Sequence, residues 1–220
     1  MKGSDRSPVE HPHAAGFVGQ GEIHALPPLL LGGPVVFTSA ESRQGAGSCL
    51  ASLLLRALVR LDPRWGALPA KASLSLGKSV LGKPCLHLGH GEGPSLSFSH
   101  GEGRIWAAMS GSGGVGIDVS GPEEFPDGYP FARAFRKEEL ECAGAFCGHD
   151  RARGAALMWA VKEAAVKATG AGFNLFDPLE VRLGTPLVRE QWILFDVLVD
   201  RPVSVWVRPE GRGWLSVASA

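Results

Sequence analysis

One segment limits what the rest of the chain can be. From Arg151 to Thr169 no proline interrupts, alanine recurs throughout, and Gly170 and Gly172 close the run, which reads as a long helix. Elsewhere the apolar stretches are short, and 30 glycines and 16 prolines punctuate them. Gly47 to Val59 places Leu50, Leu53, Leu54, Ala57 and Leu58 on one helical face, with Ser48 near its start as a cap. Phe131 to Ala145 reads as a third helix. Leu96 to Ser99, Ile105 to Met109 and Val115 to Val119 read as strands, as do Val181 to Leu183, Trp192 to Val199, Val203 to Val207 and Trp214 to Val217. The glycines at 111, 113, 114 and 116 precede the strand-like Ile117-Asp118-Val119, which favours a hairpin turn over a nucleotide loop. The order predicts an α+β protein of two lobes, 35–114 and 115–220, behind a flexible or irregular arm, 1–34.

Lysine plus arginine equals aspartate plus glutamate at 22 each, so no global field draws the chain to nucleic acid or an anionic membrane, and any anion site is local. Apolar runs such as Leu50 to Leu61 are too short or too charged to span a bilayer, and residues 1–34 lack the pattern of a secretory signal, so a cytoplasmic protein is expected. Cys49, Cys85, Cys142 and Cys147 are expected as free thiols. Cys142, Cys147 and His149 do not have zinc-site spacing.

Trp159, Glu163 and Lys167 are spaced four apart and share one helical face, with Lys162 beside it and Met158, Val161 and Ala165 turned to the core. An exposed Glu163–Lys167 pair alone is worth only roughly 0.3–0.5 kcal/mol. Asp118, however, lies inside an apolar strand, where a carboxylate needs a cation or several donors. Asp118 and Glu163 together supply two hard oxygen ligands, the usual protein share of a magnesium site that also takes substrate phosphates. Lys162 and Lys167 beside such a metal suit phosphate oxygens. Gly82-Lys83-Pro84 and Ser99-His100 add a charge, a hydroxyl and an imidazole of the same use.

Taken in order, Leu81-Gly82-Lys83-Pro84, Phe98-Ser99-His100, Val115-Gly116-Ile117-Asp118, Phe135 with Glu138-Glu139-Leu140, and Trp159 to Lys167 resemble the 4'-phosphopantetheinyl transferases. The likeness is to the monomeric surfactin-synthetase-activating type and covers about residues 48–185. It implies two similar lobes forming a pseudo-dimer, each a small antiparallel sheet packed on helices. It implies that Asp118 and Glu163 bind Mg2+, and that Lys83, Ser99, His100 and Lys167, with Ser48, contact the phosphates of coenzyme A. The substrate pair is coenzyme A and an apo acyl or peptidyl carrier protein, with Glu163, Lys167 and Asp118 as the catalytic group.

Two departures stand out. Ser120 occupies a position where many members carry a second acidic ligand, so Glu123, Glu124 or water would complete the metal's coordination. Ala46 and Gly47 stand where a basic pair usually holds the adenosine 3'-phosphate, which leaves Arg43 as the nearest substitute. These departures motivate an alternative, a protein of the same fold that binds coenzyme A or a carrier without turnover. Phe125, Tyr129, Phe131 and Phe135 are core residues or a surface for a carrier helix.

Overall fold

The computed structural model describes residues 21–27, 33–66, 74–89, 91–173 and 175–220. Its elements in chain order are β1 (His24–Ala25), β2 (Val35–Glu41), α1 (Ala46–Leu61), β3 (Leu74–Lys78), β4 (Pro84–Leu88), β5 (Gly91–Glu92), β6 (Ser95–Gly101), β7 (Arg104–Ser110) and β8 (Val115–Ser120). There follow α2 (Lys137–Cys147), α3 (Arg151–Thr169), β9 (Arg182–Leu183), β10 (Leu187–Arg189), β11 (Trp192–Leu198), β12 (Pro202–Glu210) and β13 (Gly213–Ser219). The mixed α/β character expected from the sequence is present. Every pairing is antiparallel, in sheets ordered β1-β2-β7-β6, β10-β11-β12-β13-β8 with β9 on β11, and β3-β4-β5.

Alternation sorts the side chains into three apolar clusters. Leu50, Leu54 and Leu58 of α1 pack on Val36, Ala107 and Met109. The alanine-rich α3 packs on Phe195, Val205, Val207 and Ala218, with α2 against it. Between the two larger sheets lie Phe37, Trp106, Val115, Ile117, Trp206, Leu215 and Val217. Burying each large side chain stabilises the fold by roughly 1.5–3 kcal/mol. Helix α3 sits close on β8 because its facing residues are small: a Cβ on Gly116 would collide with the Ala164 carbonyl, and one on Gly114 with that of Ala168.

Three local expectations are corrected. Helix α1 begins at Ala46 behind Gly45, which takes the left-handed region at φ 78°, so Ser48 is the third helical residue and caps nothing. The segment 111–114 makes no hairpin: β8 pairs with β13 and not with β7, so these residues carry the chain from one sheet to the next. The helix expected from Phe131 is split into a 3-10 turn, Phe131–Arg133, and α2. Within the arm expected over 1–34, the described residues 21–27 are ordered on β2: His24 and Ala25 pair with Phe37 and Val36, and the Thr38 hydroxyl donates to the Gly21 and Glu22 carbonyls. Residues 1–20 and 28–32 lie outside the described residues. No helix among the described residues is long and apolar enough to cross a membrane.

The free edge of β8 is closed in an unusual way. The N–H groups of Val115, Ile117 and Val119 donate to the hydroxyls of Ser95, Ser97 and Ser99 on β6, each at 3.2 Å. Side chains of one sheet thus satisfy backbone donors at the edge of another, and the register is fixed at twenty residues' offset.

Candidate active site

Asp118 sits in the middle of β8 with its side chain on the face that α3 covers, and it is only 6% exposed. Two donors meet its Oδ1: the Lys167 ammonium at 2.7 Å and the Ser99 hydroxyl at 3.0 Å. No hydrogen bond among the described residues falls on Oδ2. Lys167 also donates to the Ile117 carbonyl at 3.2 Å and approaches the Glu163 carboxylate at 3.7 Å. Strand β8 therefore supplies Asp118, one face of α3 supplies Glu163 and Lys167, and the glycines beneath α3 bring the two together. Trp159, one turn before Glu163, stacks on Phe173 with ring centroids 4.9 Å apart.

The electrostatics follow from partial burial. Burial pushes the Glu163 carboxyl above its ordinary pKa of 4.5; Lys167 opposes the shift, while Asp118 and Glu124 add to it. Burial works against the Lys167 ammonium as well, but Asp118 and Glu163 outweigh it and the pKa rises above 10.5. The lysine is thus held charged, and burial favours the protonated form of Glu163.

The other sequence-predicted residues are placed unevenly. Lys83 lies beside Gly170, the residue that closes α3 within a turn of Lys167; burial lowers its pKa, and nearby Arg201 lowers it further. It brings positive charge to the end of α3 that carries Lys167. His100 is exposed and, by alternation, lies on the opposite side of β6 from Ser99. It shares that side with Phe98, which the first turn of α1 covers at Gly47, so exposed Ser48 and Arg43 belong to that neighbourhood and not to Asp118.

Lys162 is a correction. Its side chain is fully buried, bonded to Glu139 at 2.8 Å and to the carbonyls of Ala134 and Pro178 at 3.0 and 2.8 Å. All three ammonium protons are engaged inside the protein, leaving none for a phosphate. Phe125 and Phe135 are also core, stacked edge-on with Trp159, while Tyr129 and Phe131 are half-buried against them.

One group beside Asp118, Ser216, was not singled out by sequence. Ser216 is its cross-strand neighbour on β13 and is wholly buried. Ser120, two residues along the same face, is 1% exposed, and neither hydroxyl has a hydrogen-bond partner among the described residues. A serine between apolar residues in Trp214 to Val217 was the available signal. Glu124, weighed from sequence as an alternative ligand, accepts the Gly121 N–H at 2.8 Å and bears electrostatically on Glu163.

This donor set fits a magnesium ion. Asp118 Oδ2, Glu163 and the unpartnered Ser120 hydroxyl are hard oxygens, and Mg2+ commonly takes one or two carboxylates and leaves its other positions to water and phosphate. Among the described residues no three His, Cys, Asp or Glu side chains gather as a metal cage.

Residues 114–198 match the sequence profile of the 4'-phosphopantetheinyl transferase superfamily. No curated protein matches the chain. The matched span contains β8, α2 and α3, hence Asp118, Glu163 and Lys167, and excludes Lys83, Ser99 and His100.

Proposed function

We propose that the protein transfers the 4'-phosphopantetheine group of coenzyme A to a serine of an apo acyl or peptidyl carrier protein and releases adenosine 3',5'-bisphosphate. The observation that carries this reading is the Asp118–Lys167–Glu163 cluster, one strand carboxylate bound to a helix ammonium beside a second, proton-avid carboxylate, inside the span that matches the superfamily.

The chemistry follows from the groups. The carrier serine oxygen forms a bond to the phosphorus bearing the pantetheine, and the bond from that phosphorus to the bridging oxygen of the pyrophosphate breaks. The departing phosphate takes the electron pair. Glu163 receives the serine proton, a role suited to a carboxyl whose pKa burial has raised. Lys167, held charged, and Lys83 at the same end of α3 balance the phosphate oxygens. Asp118 and Glu163 would hold Mg2+, which when bound neutralises charge on the pyrophosphate. In this reading the enzyme is a cytoplasmic monomer of two lobes divided near 114/115, a division supported by the two helix-backed sheets. His100, Ser48 and Arg43 form the outer, adenosine-facing contacts.

The test is incubation with Mg2+, coenzyme A and a panel of apo-carrier proteins, read by mass spectrometry. Addition of one phosphopantetheine group to a carrier serine is expected, and failure across a broad panel would sink the transferase reading. The second reading, binding without turnover, is favoured by Ser120 in place of an acidic ligand. It predicts coenzyme A binding by calorimetry with no modified carrier, and a Ser120→Glu variant that gains Mg2+ affinity.

A further inference from the structure

Ser95, Ser97 and Ser99 do the same thing at the seam, accepting one N–H each from β8. They differ in where the hydroxyl proton goes. Only Ser99 has a carboxylate in reach, and it donates to Asp118 Oδ1 at 3.0 Å. A hydroxyl has a single proton, and Ser99 is 7% exposed, so its donor capacity is committed within the protein.

We infer that Ser99 is a positioning residue for Asp118: with Lys167 it fixes Oδ1 from two directions and so presents Oδ2 to the site, and it does not itself bind phosphate. A phosphate oxygen needs a donor, and Ser99 could offer one only by releasing Asp118, so the two roles exclude each other. Because the same hydroxyl accepts the Val119 N–H, the position of the first sheet's edge is transmitted to the carboxylate. The inference deepens the reading above, since that reading places Asp118 at the metal, but its first test does not depend on turnover.

The first test is a double-mutant cycle in unfolding equilibria, with Ser99→Ala and Asp118→Ala, run beside the same cycle with Ser97→Ala. Ser99→Ala should lower the folding constant roughly tenfold more in the native background than when Asp118 is already gone, where its cost should match that of Ser97→Ala, whereas Ser97→Ala should cost the same in both. If Asp118→Ala does not fold, Asp118→Asn serves in its place, with a smaller coupling of the same sign. Additivity in the Ser99 cycle overturns the inference.

The second test separates positioning from phosphate contact. Calorimetric titration with Mg2+ in the presence of coenzyme A should show Ser99→Ala weakened roughly 10- to 100-fold, as for other residues that orient a metal ligand. Ser99→Thr should be restored and Ser97→Ala unaffected. The KM for coenzyme A should stay unchanged at saturating Mg2+. A raised KM for coenzyme A with unaltered Mg2+ affinity would assign Ser99 to the phosphate and overturn the inference. A wild-type protein that modifies no carrier removes the transferase reading alone, and the unfolding cycle still decides the Ser99–Asp118 link.

Discussion

Helix α3 carries two lysines five residues apart, and their surroundings show what separates a structural ion pair from a working one. Lys162 faces α2, where Glu139 and two carbonyls engage every proton and no solvent reaches it. Lys167 faces β8, where Asp118 and Glu163 share it and its side chain stays 28% exposed. On the first side the charges are enclosed, so the pair holds α2 and the 178 segment against α3. On the second side Asp118 Oδ2 and Glu163 keep capacity for something outside the protein. An unused valence at a partly open site, more than the presence of opposite charges, marks the functional face.

Substitutions on the two sides should fail in different ways. The largest effect is expected inside: Lys162→Ala strands the Glu139 carboxylate and should cost about 3–5 kcal/mol in urea unfolding, while turnover per folded molecule is kept. Lys162→Met combined with Glu139→Gln should recover much of that loss. If Lys162→Met/Glu139→Gln is stable but inactive, the distinction between the two faces breaks.

Glu163→Gln should do the reverse, lowering carrier modification about 100-fold or more while leaving the fold intact. Its stability change has a definite sign. The Glu163 pKa is raised on folding by burial, so its favourable contribution is present below 4.5 and lost as pH climbs through the raised value. At neutral pH the neutral amide should therefore raise the melting temperature, by a few degrees at most.

A finer test is the acid limb of kcat/KM. If Glu163 accepts the serine proton, activity should fall about tenfold per pH unit below the inflection, and that inflection should vanish in Glu163→Gln. An acid limb that persists unchanged in Glu163→Gln would move the base elsewhere. The smallest effect is the control: Lys137 and Glu141 pair on exposed α2 with side chains 85% and 63% open, and Lys137→Ala should change stability by less than about 0.5 kcal/mol.

Much of this contrast was readable in the sequence. The i, i+4, i+8 spacing of Trp159, Glu163 and Lys167 fixed their shared face, and an aspartate inside Val115 to Val119 demanded a partner. Lys162 was readable too: it follows Met158 by four residues and so shares its buried side, but its proximity to Glu163 in the chain suggested proximity in space. Residues adjacent on a helix point about 100° apart. Ser48 was mistaken for a cap because glycine at 45 has no side chain to signal one, yet Gly45 takes the left-handed conformation there. Strand β2 escaped notice because six of its seven residues are buried, on both faces, so no polar alternation marks it. The serine seam was hidden for another reason. Its alternating hydroxyls are local, but the donors they meet lie twenty residues on, and only the folded chain identifies them.

That seam also works as a key to assembly. A shift of β6 along β8 by one residue would offer Leu96, Phe98 and His100 to the β8 amides, and none of the three hydroxyls would engage. A shift by two would still satisfy two amides with two serines, close enough to the native arrangement to compete with it. When that shift brings Gly101 opposite Val119, the hydroxyl bond to Asp118 is lost, and with it the one charged contact of the row. The residue that orients the site thus also disfavours that misalignment of the two sheets, and a chain assembled in that register lacks a fixed Asp118.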